Sequence, residues 1–208
     1  MTKLKIAVGL MAVLAGSAAS IALHAAEETD KDGWIRLFNG KDLTGWKASE
    51  GVEWKVENGE IITPPKRSHL FTEREFKNFE YKVDCMTLPG SNSGLYFHTK
   101  YEESFPKTGF EVQVNQTQGD PVKSGSLYNL LKLFSSPVKD NEWYTYHMIV
   151  KGKQVTVKIN DKTLFEYVEP EGVVGPTNKL GKGSFAIQAH DPKSVAHYKN
   201  IMVKPLPD

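Results

Sequence analysis

Three short segments place chemically capable side chains at alternate positions. In Gly109–Asn115 (GFEVQVN), Glu111, Gln113 and Asn115 alternate with Phe110, Val112 and Val114. In Ser93–Thr99 (SGLYFHT), Tyr96 and His98 alternate with Leu95 and Phe97. In Ser184–His190 (SFAIQAH), Gln188 and His190 alternate with Ile187 and Ala189. Carboxylates and imidazoles are the usual proton-transfer side chains. Amides and carboxylates bridge hydroxyl pairs, and a phenol ring gives an apolar platform. One surface carrying all of these suits a sugar. The competing reading is an ordinary solvated sheet face, although such faces more often carry Lys, Thr and Glu, as in TVKIN (Thr156–Asn160).

For these residues to meet, the three segments must be strands of one sheet, because a strand sends successive side chains to opposite faces. The rest of the chain is built the same way. Phe79–Met86, Tyr144–Lys151, Gln154–Asn160 and His197–Lys204 also alternate with period two. Trp54–Ile62 (WKVENGEII) reads as a hairpin closed by Asn58-Gly59. A second hairpin joins the Tyr144 and Gln154 runs through Lys151-Gly152-Lys153. Turn signals at Pro89-Gly90, Asn160-Asp161, Gly181–Gly183 and Asp191-Pro192 separate the runs. Long helical periodicity is absent after residue 34, so the expectation is an all-β sandwich or barrel. Gln116–Lys139 is the least regular stretch and is expected to be a long ordered loop of functional use.

The N-terminus sets the context. Lys3 and Lys5 precede an apolar run from Ile6 to Ala15, and small residues follow. This is the pattern of a signal peptide, assigned to residues 1–26, ahead of a single domain over 27–208. The expectation is export to the periplasm or medium without a stable membrane anchor. Removing that segment takes away two lysines and no acid, leaving 24 basic against 25 acidic residues. So even a balance gives no reason to seek nucleic acid. The lone Cys85 forms no internal disulfide and is expected to be a small buried hydrophobe.

Other residues offer less. Glu80, Lys82 and Asp84 share a face that could extend the site, or could be a plain charged strand face. His69, His147 and His197 are expected to be structural or exposed, and Trp34, Trp46, Trp54 and Trp143 to be core. HExxH, CxxC and His-x-His patterns are absent, as are a Gly-rich phosphate loop and a GxSxG elbow. No cofactor is evident, and the oligomeric state is left open.

These residues carry a resemblance. GWIRLFNGKDLTGW (Gly33–Trp46), SNSGLYFHT, TGFEVQVN, SGSLYN (Ser124–Asn129) and the closing GSFAIQAHDPKSVAHYKNIMVKPL resemble, in order, the motifs of the 3-keto-disaccharide hydrolase domain family. That resemblance implies a concanavalin A-like jelly-roll β-sandwich of two antiparallel sheets. It also implies cleavage of 3-keto-glycosides by proton abstraction at C2, elimination of the C1 substituent and rehydration, with a saccharide as partner. Within it, Glu111 or His190 is the base or acid, and His98 an electrophile for the enolate. Asn92, Gln113 and Gln188 hold hydroxyls or the ketone, Tyr96 is the platform and Tyr128 covers the sugar from the loop. A divalent ion held by Glu111 with His98 or His190 is an alternative electrophile. A carbohydrate-binding module without catalysis is the alternative function.

Overall fold

The computed structural model describes residues 29–175 and 177–208. The expected signal peptide lies outside them. The strands are β1 (Ile35–Arg36), β2 (Trp46–Ala48), β3 (Lys55–Glu57), β4 (Glu60–Ile62), β5 (Ser68–Phe76), β6 (Phe79–Thr87), β7 (Asn92–Thr99), β8 (Phe110–Asn115), β9 (Tyr144–Lys151), β10 (Gln154–Ile159), β11 (Lys162–Val168), β12 (Gly183–Ala189) and β13 (Ala196–Pro205). They form two antiparallel sheets. The larger has the order β11-β10-β9-β6-β13-β4-β3, with β1 also on β13; the smaller has the order β2-β5-β12-β7-β8. The three segments predicted to form the site are β7, β8 and β12, adjacent in the smaller sheet.

Alternation decides which side chains meet between the sheets. In β6, Phe79, Tyr81, Val83 and Cys85 are fully buried while the residues between them are half-exposed. Leu95, Phe97, Phe110, Val112, Val114, Phe185 and Ile187 fill the same core from the smaller sheet. Tyr81 of β6 stacks on Phe185 of β12 at 3.9 Å and 10°, joining the layers. At the Asn58-Gly59 turn both residues take positive φ, 54° and 78°, as a tight two-residue hairpin requires.

Several expectations change. Glu80, Lys82 and Asp84 lie on the outer face of the larger sheet, so they do not extend the site. Trp46 and Trp54 are buried as expected. Trp34 and Trp143 instead lie half-exposed on the outside, under the ammonium groups of Lys82 and Lys199. β5 has no sequence alternation: five consecutive residues from Ser68 to Thr72 are buried, because the strand is covered on both faces.

Candidate functional site

The outward face of the smaller sheet carries one continuous row across four strands. Phe71 of β5 pairs with Ala186 of β12, Ala186 with Tyr96 of β7, and Tyr96 with Glu111 of β8. A second row, two residues along, holds His69, Gln188 and Gln113. Loop segments carrying Phe105, Tyr128 and Asn178 border the face. The Tyr128 amide donates to the Glu111 carbonyl at 2.8 Å, and the Asn178 amide to the Gly109 carbonyl at 2.9 Å. A cleft opens between these loops, with Tyr96, Glu111, Phe105, Tyr128 and Asn178 among its walls.

Glu111 brings a carboxyl group into that cleft. Its carboxylate lies flat over Gly94, where a Cβ would sit only 2.4 Å from Oε1. Gly94 is therefore the side-chain gap that lets Glu111 lie down. Burial pushes the carboxyl up to about 7; a hydrogen bond from the Tyr96 hydroxyl pulls it down, and the nearby Asp120 raises it further. Tyr96 also accepts from Gln188 Nε2 at 3.0 Å. Tyr128 OH donates to Asp120 Oδ2 at 3.3 Å, and burial raises the phenol's own pKa, so it stays a neutral donor.

The other expected residues divide. Asn92 and Gln113 lie on the predicted face, but each is buried and they hold each other, Gln113 Nε2 donating to Asn92 Oδ1 at 3.2 Å. Asn92 also reaches Gln118 at 3.4 Å, so this pair braces the loop beneath the cleft. His190 follows the end of β12 and shares the face of Gln188. Its Nδ1 pairs with Asp191 Oδ2 at 2.9 Å. Burial works to raise Asp191, but donors from Ser194, His190 and the Lys193 amide outweigh it and hold the carboxyl at about 2. His190 is four residues from the Glu111 row, about 13 Å along the strand and two strands across.

His98 is not on this face. β7 gains an extra residue between its pairs Tyr96–Ala186 and Thr99–Ser184, and His98 takes a left-handed φ of 54°. The bulge breaks the alternation that groups His98 with Tyr96 in the sequence. The ring turns to the edge of the core, 5.5 Å from Phe79, where Nδ1 accepts from the Gly181 amide at 3.2 Å and Nε2 donates to the Lys77 carbonyl at 2.8 Å. Both nitrogens are held by these backbone bonds, and the ring lies away from the face on which it was expected.

Residues 33–204 match the model of the 3-keto-alpha-glucoside-1,2-lyase-like domain. The chain belongs to that family. It is 26% identical over 172 residues to the 3-keto-disaccharide hydrolase of Bacteroides thetaiotaomicron, covering 66% of this chain and 59% of that relative's length. A solved protein of Parabacteroides distasonis, named as a candidate glycosyl hydrolase, superposes with a TM-score of 0.73 at 25% identity, covering 85% of this chain and 95% of that one. The carbohydrate-binding module CBM66 of Bacillus subtilis shares the fold, with a TM-score of 0.56 at 14% identity over 77% of this chain and 95% of its own.

Within this 3-keto-alpha-glucoside-1,2-lyase-like domain, one buried imidazole is not legible from sequence. His69, expected to be structural or exposed, is fully buried, paired in register with Gln188 on the site face, with its ring 5.5 Å from that of Tyr96. Burial first, then the charge of Arg67, pushes its pKa down to about 4, so it is neutral at pH 7. Its strand lacks alternation, which is why no sequence pattern points to it. Among the described residues, no three His, Cys, Asp or Glu side chains come together as a metal site needs. With His98 turned away and His190 far along the strand, the donor pairs expected for a divalent ion do not form.

Proposed function

We propose that the protein hydrolyses 3-keto-glycosides, with Glu111 as the proton-transfer group. The observation that carries this reading is the Glu111 carboxyl, raised to about 7 by burial in a cleft walled by Tyr96 and Tyr128. A base works best with a pKa near the operating pH. The name of the Bacteroides relative and the family both support a saccharide as substrate.

The ketone at C3 acidifies the proton on C2. The Glu111 carboxylate takes that proton, and the C2–H electrons form an enolate with the ketone. The enolate then collapses to a C1–C2 double bond and expels the C1 oxygen, which receives the proton from Glu111. Water adds back across that bond, hydroxide to C1 and a proton to C2, giving a 3-keto sugar with a free anomeric hydroxyl. The hydroxyls of Tyr96 and Tyr128, which otherwise donate to Glu111 and Asp120, turn to the enolate oxygen when substrate fills the cleft. An ordinary glycosidase needs two carboxylates flanking one bond; here the second carboxylate near Glu111, that of Asp120, is tied to the Tyr128 hydroxyl behind the cleft wall.

The test is an assay on a chromogenic 3-keto-glucoside beside the unoxidised glucoside. Chromophore should appear only from the keto compound, and Glu111→Gln should lower the rate by about 10²- to 10⁴-fold without changing the melting curve's shape. A Gln variant that keeps its rate overturns the assignment. Saccharide binding without release from either glucoside would place the protein with the carbohydrate-binding modules.

A further inference from the structure

The reaction above leaves His69 unused. Its two ring nitrogens are buried and neither has a hydrogen-bond partner; the same is true of Gln188 Oε1. His69 and Gln188 are register partners on neighbouring strands and point to the same face. A neutral imidazole offers one N–H donor and one acceptor, and the amide oxygen adds a second acceptor. Buried polar groups in folded proteins normally find partners, so three unpartnered atoms side by side mark a place that something else completes. A pair of sugar hydroxyls both donates and accepts, and satisfies all three.

The cover over this spot is slight. Phe105 stands edge-on to His69 at 5.3 Å, is 40% exposed, and lies 5.0 Å from the Arg67 guanidinium. The same ring lines the Glu111 cleft, so it is the partition between the cleft and His69. The base of its loop is fixed instead. Tyr101 packs against Phe71 at 5.3 Å, lies under the Lys47 ammonium at 3.6 Å, and donates to the Glu103 carboxylate. Glu103 in turn accepts from the Glu50 amide at 3.0 Å. The loop is thus anchored at Tyr101 and Glu103, and the exposed Phe105 ring lies beyond that anchor.

We propose that His69 and Gln188 form a second saccharide subsite under Phe105, which takes the hydroxyls of the ring on the leaving-group side of a 3-keto-disaccharide. This rests on the reading of the Glu111 cleft as the reacting subsite. Gln188 stands two strands from Glu111, about 10 Å across the sheet, the reach of a disaccharide and beyond that of one ring. Phe105, displaced from His69, stacks its face on the second ring.

The test compares two substrates on the full protein: 3-keto-glucosyl fluoride, whose leaving group is one atom, and 3-keto-trehalose. His69→Phe keeps the buried ring and removes its polar atoms; His69→Gln keeps a donor and an acceptor. KM for the disaccharide should rise about tenfold in the Phe variant and recover in part in the Gln variant, with the fluoride unaffected in both. An equal change on both substrates, or none on the disaccharide, overturns the subsite. If the wild type cleaves neither keto compound, it is the elimination chemistry that fails. The subsite is then read by calorimetry with trehalose and glucose. A preference for trehalose that His69→Phe abolishes supports it; absence of that preference, or of binding, overturns it.

Discussion

At the level of single residues, Glu111 carries a conflict between stability and function that pH exposes. Its carboxyl titrates near 7 in the fold against an ordinary value of 4.5. Below pH 4 it is neutral both folded and unfolded, and no difference arises. Between 4.5 and 7 the unfolded chain releases the proton and the folded chain keeps it, so stability falls as pH rises. Above 7 the loss is complete, and for a shift of this size it is about 3 kcal/mol. The amide introduced by Glu111→Gln has no such proton to lose. The unfolding free energy of Glu111→Gln relative to wild type should therefore grow by up to about 3 kcal/mol between pH 4 and pH 8, as measured by urea titrations at each pH. A difference that stays constant would mean the carboxyl is not raised by burial. The sequence made Glu111 visible because polar residues alternate with apolar ones in β8, but its raised pKa comes from burial first and then from Asp120, against the pull of the Tyr96 hydroxyl, and only the fold brings these about.

Strands were readable wherever apolar and polar residues alternate. β6, β9 and β13 do so with one face buried and the other partly wet, and β8 does so although Gln113 and Asn115 are covered. β5 does not alternate, because both of its faces are covered, and His69 was lost with it. β7 alternates only as far as Phe97. The bulge there is held by its neighbours: a Cβ on Gly109 would meet the Phe97 carbonyl oxygen at 2.3 Å, and one on Gly183 the Thr99 carbonyl oxygen at 2.4 Å. Two flanking strands thus approach so closely that only glycine fits. His98 then ties the bulge to the Lys77 carbonyl and the Gly181 amide. His98→Asn tolerates the left-handed φ but cannot span both bonds. It should cost about 1–3 kcal/mol, read as a lower melting temperature, while kcat on a 3-keto-glucoside at 25 °C stays near wild type. A large fall in kcat with unchanged stability would return His98 to the chemistry.

For the whole molecule, the two sheets share one core but have different outer faces. The larger sheet shows hydrogen-bonded imidazole–carboxylate pairs, His147 with Glu80 and His197 with Glu60. The smaller sheet shows amides, phenols and one raised carboxyl under loops. A near-neutral composition of 26 basic and 25 acidic residues is consistent with a ligand bound by hydroxyl contacts and not by charge. The core must therefore hold a functional face that is itself short of hydrogen bonds. Its centre is the Tyr81–Phe185 stack, and there the packing carries its own defect: the Tyr81 hydroxyl is buried with no partner. Removing an orphaned hydroxyl while keeping the ring relieves a desolvation cost of about 1 kcal/mol. Tyr81→Phe should accordingly raise the melting temperature by about 2–4 °C for a domain of this size, leaving turnover unchanged. A fall instead would show that the hydroxyl is satisfied within the core, and that the stack is held by more than contact between the rings.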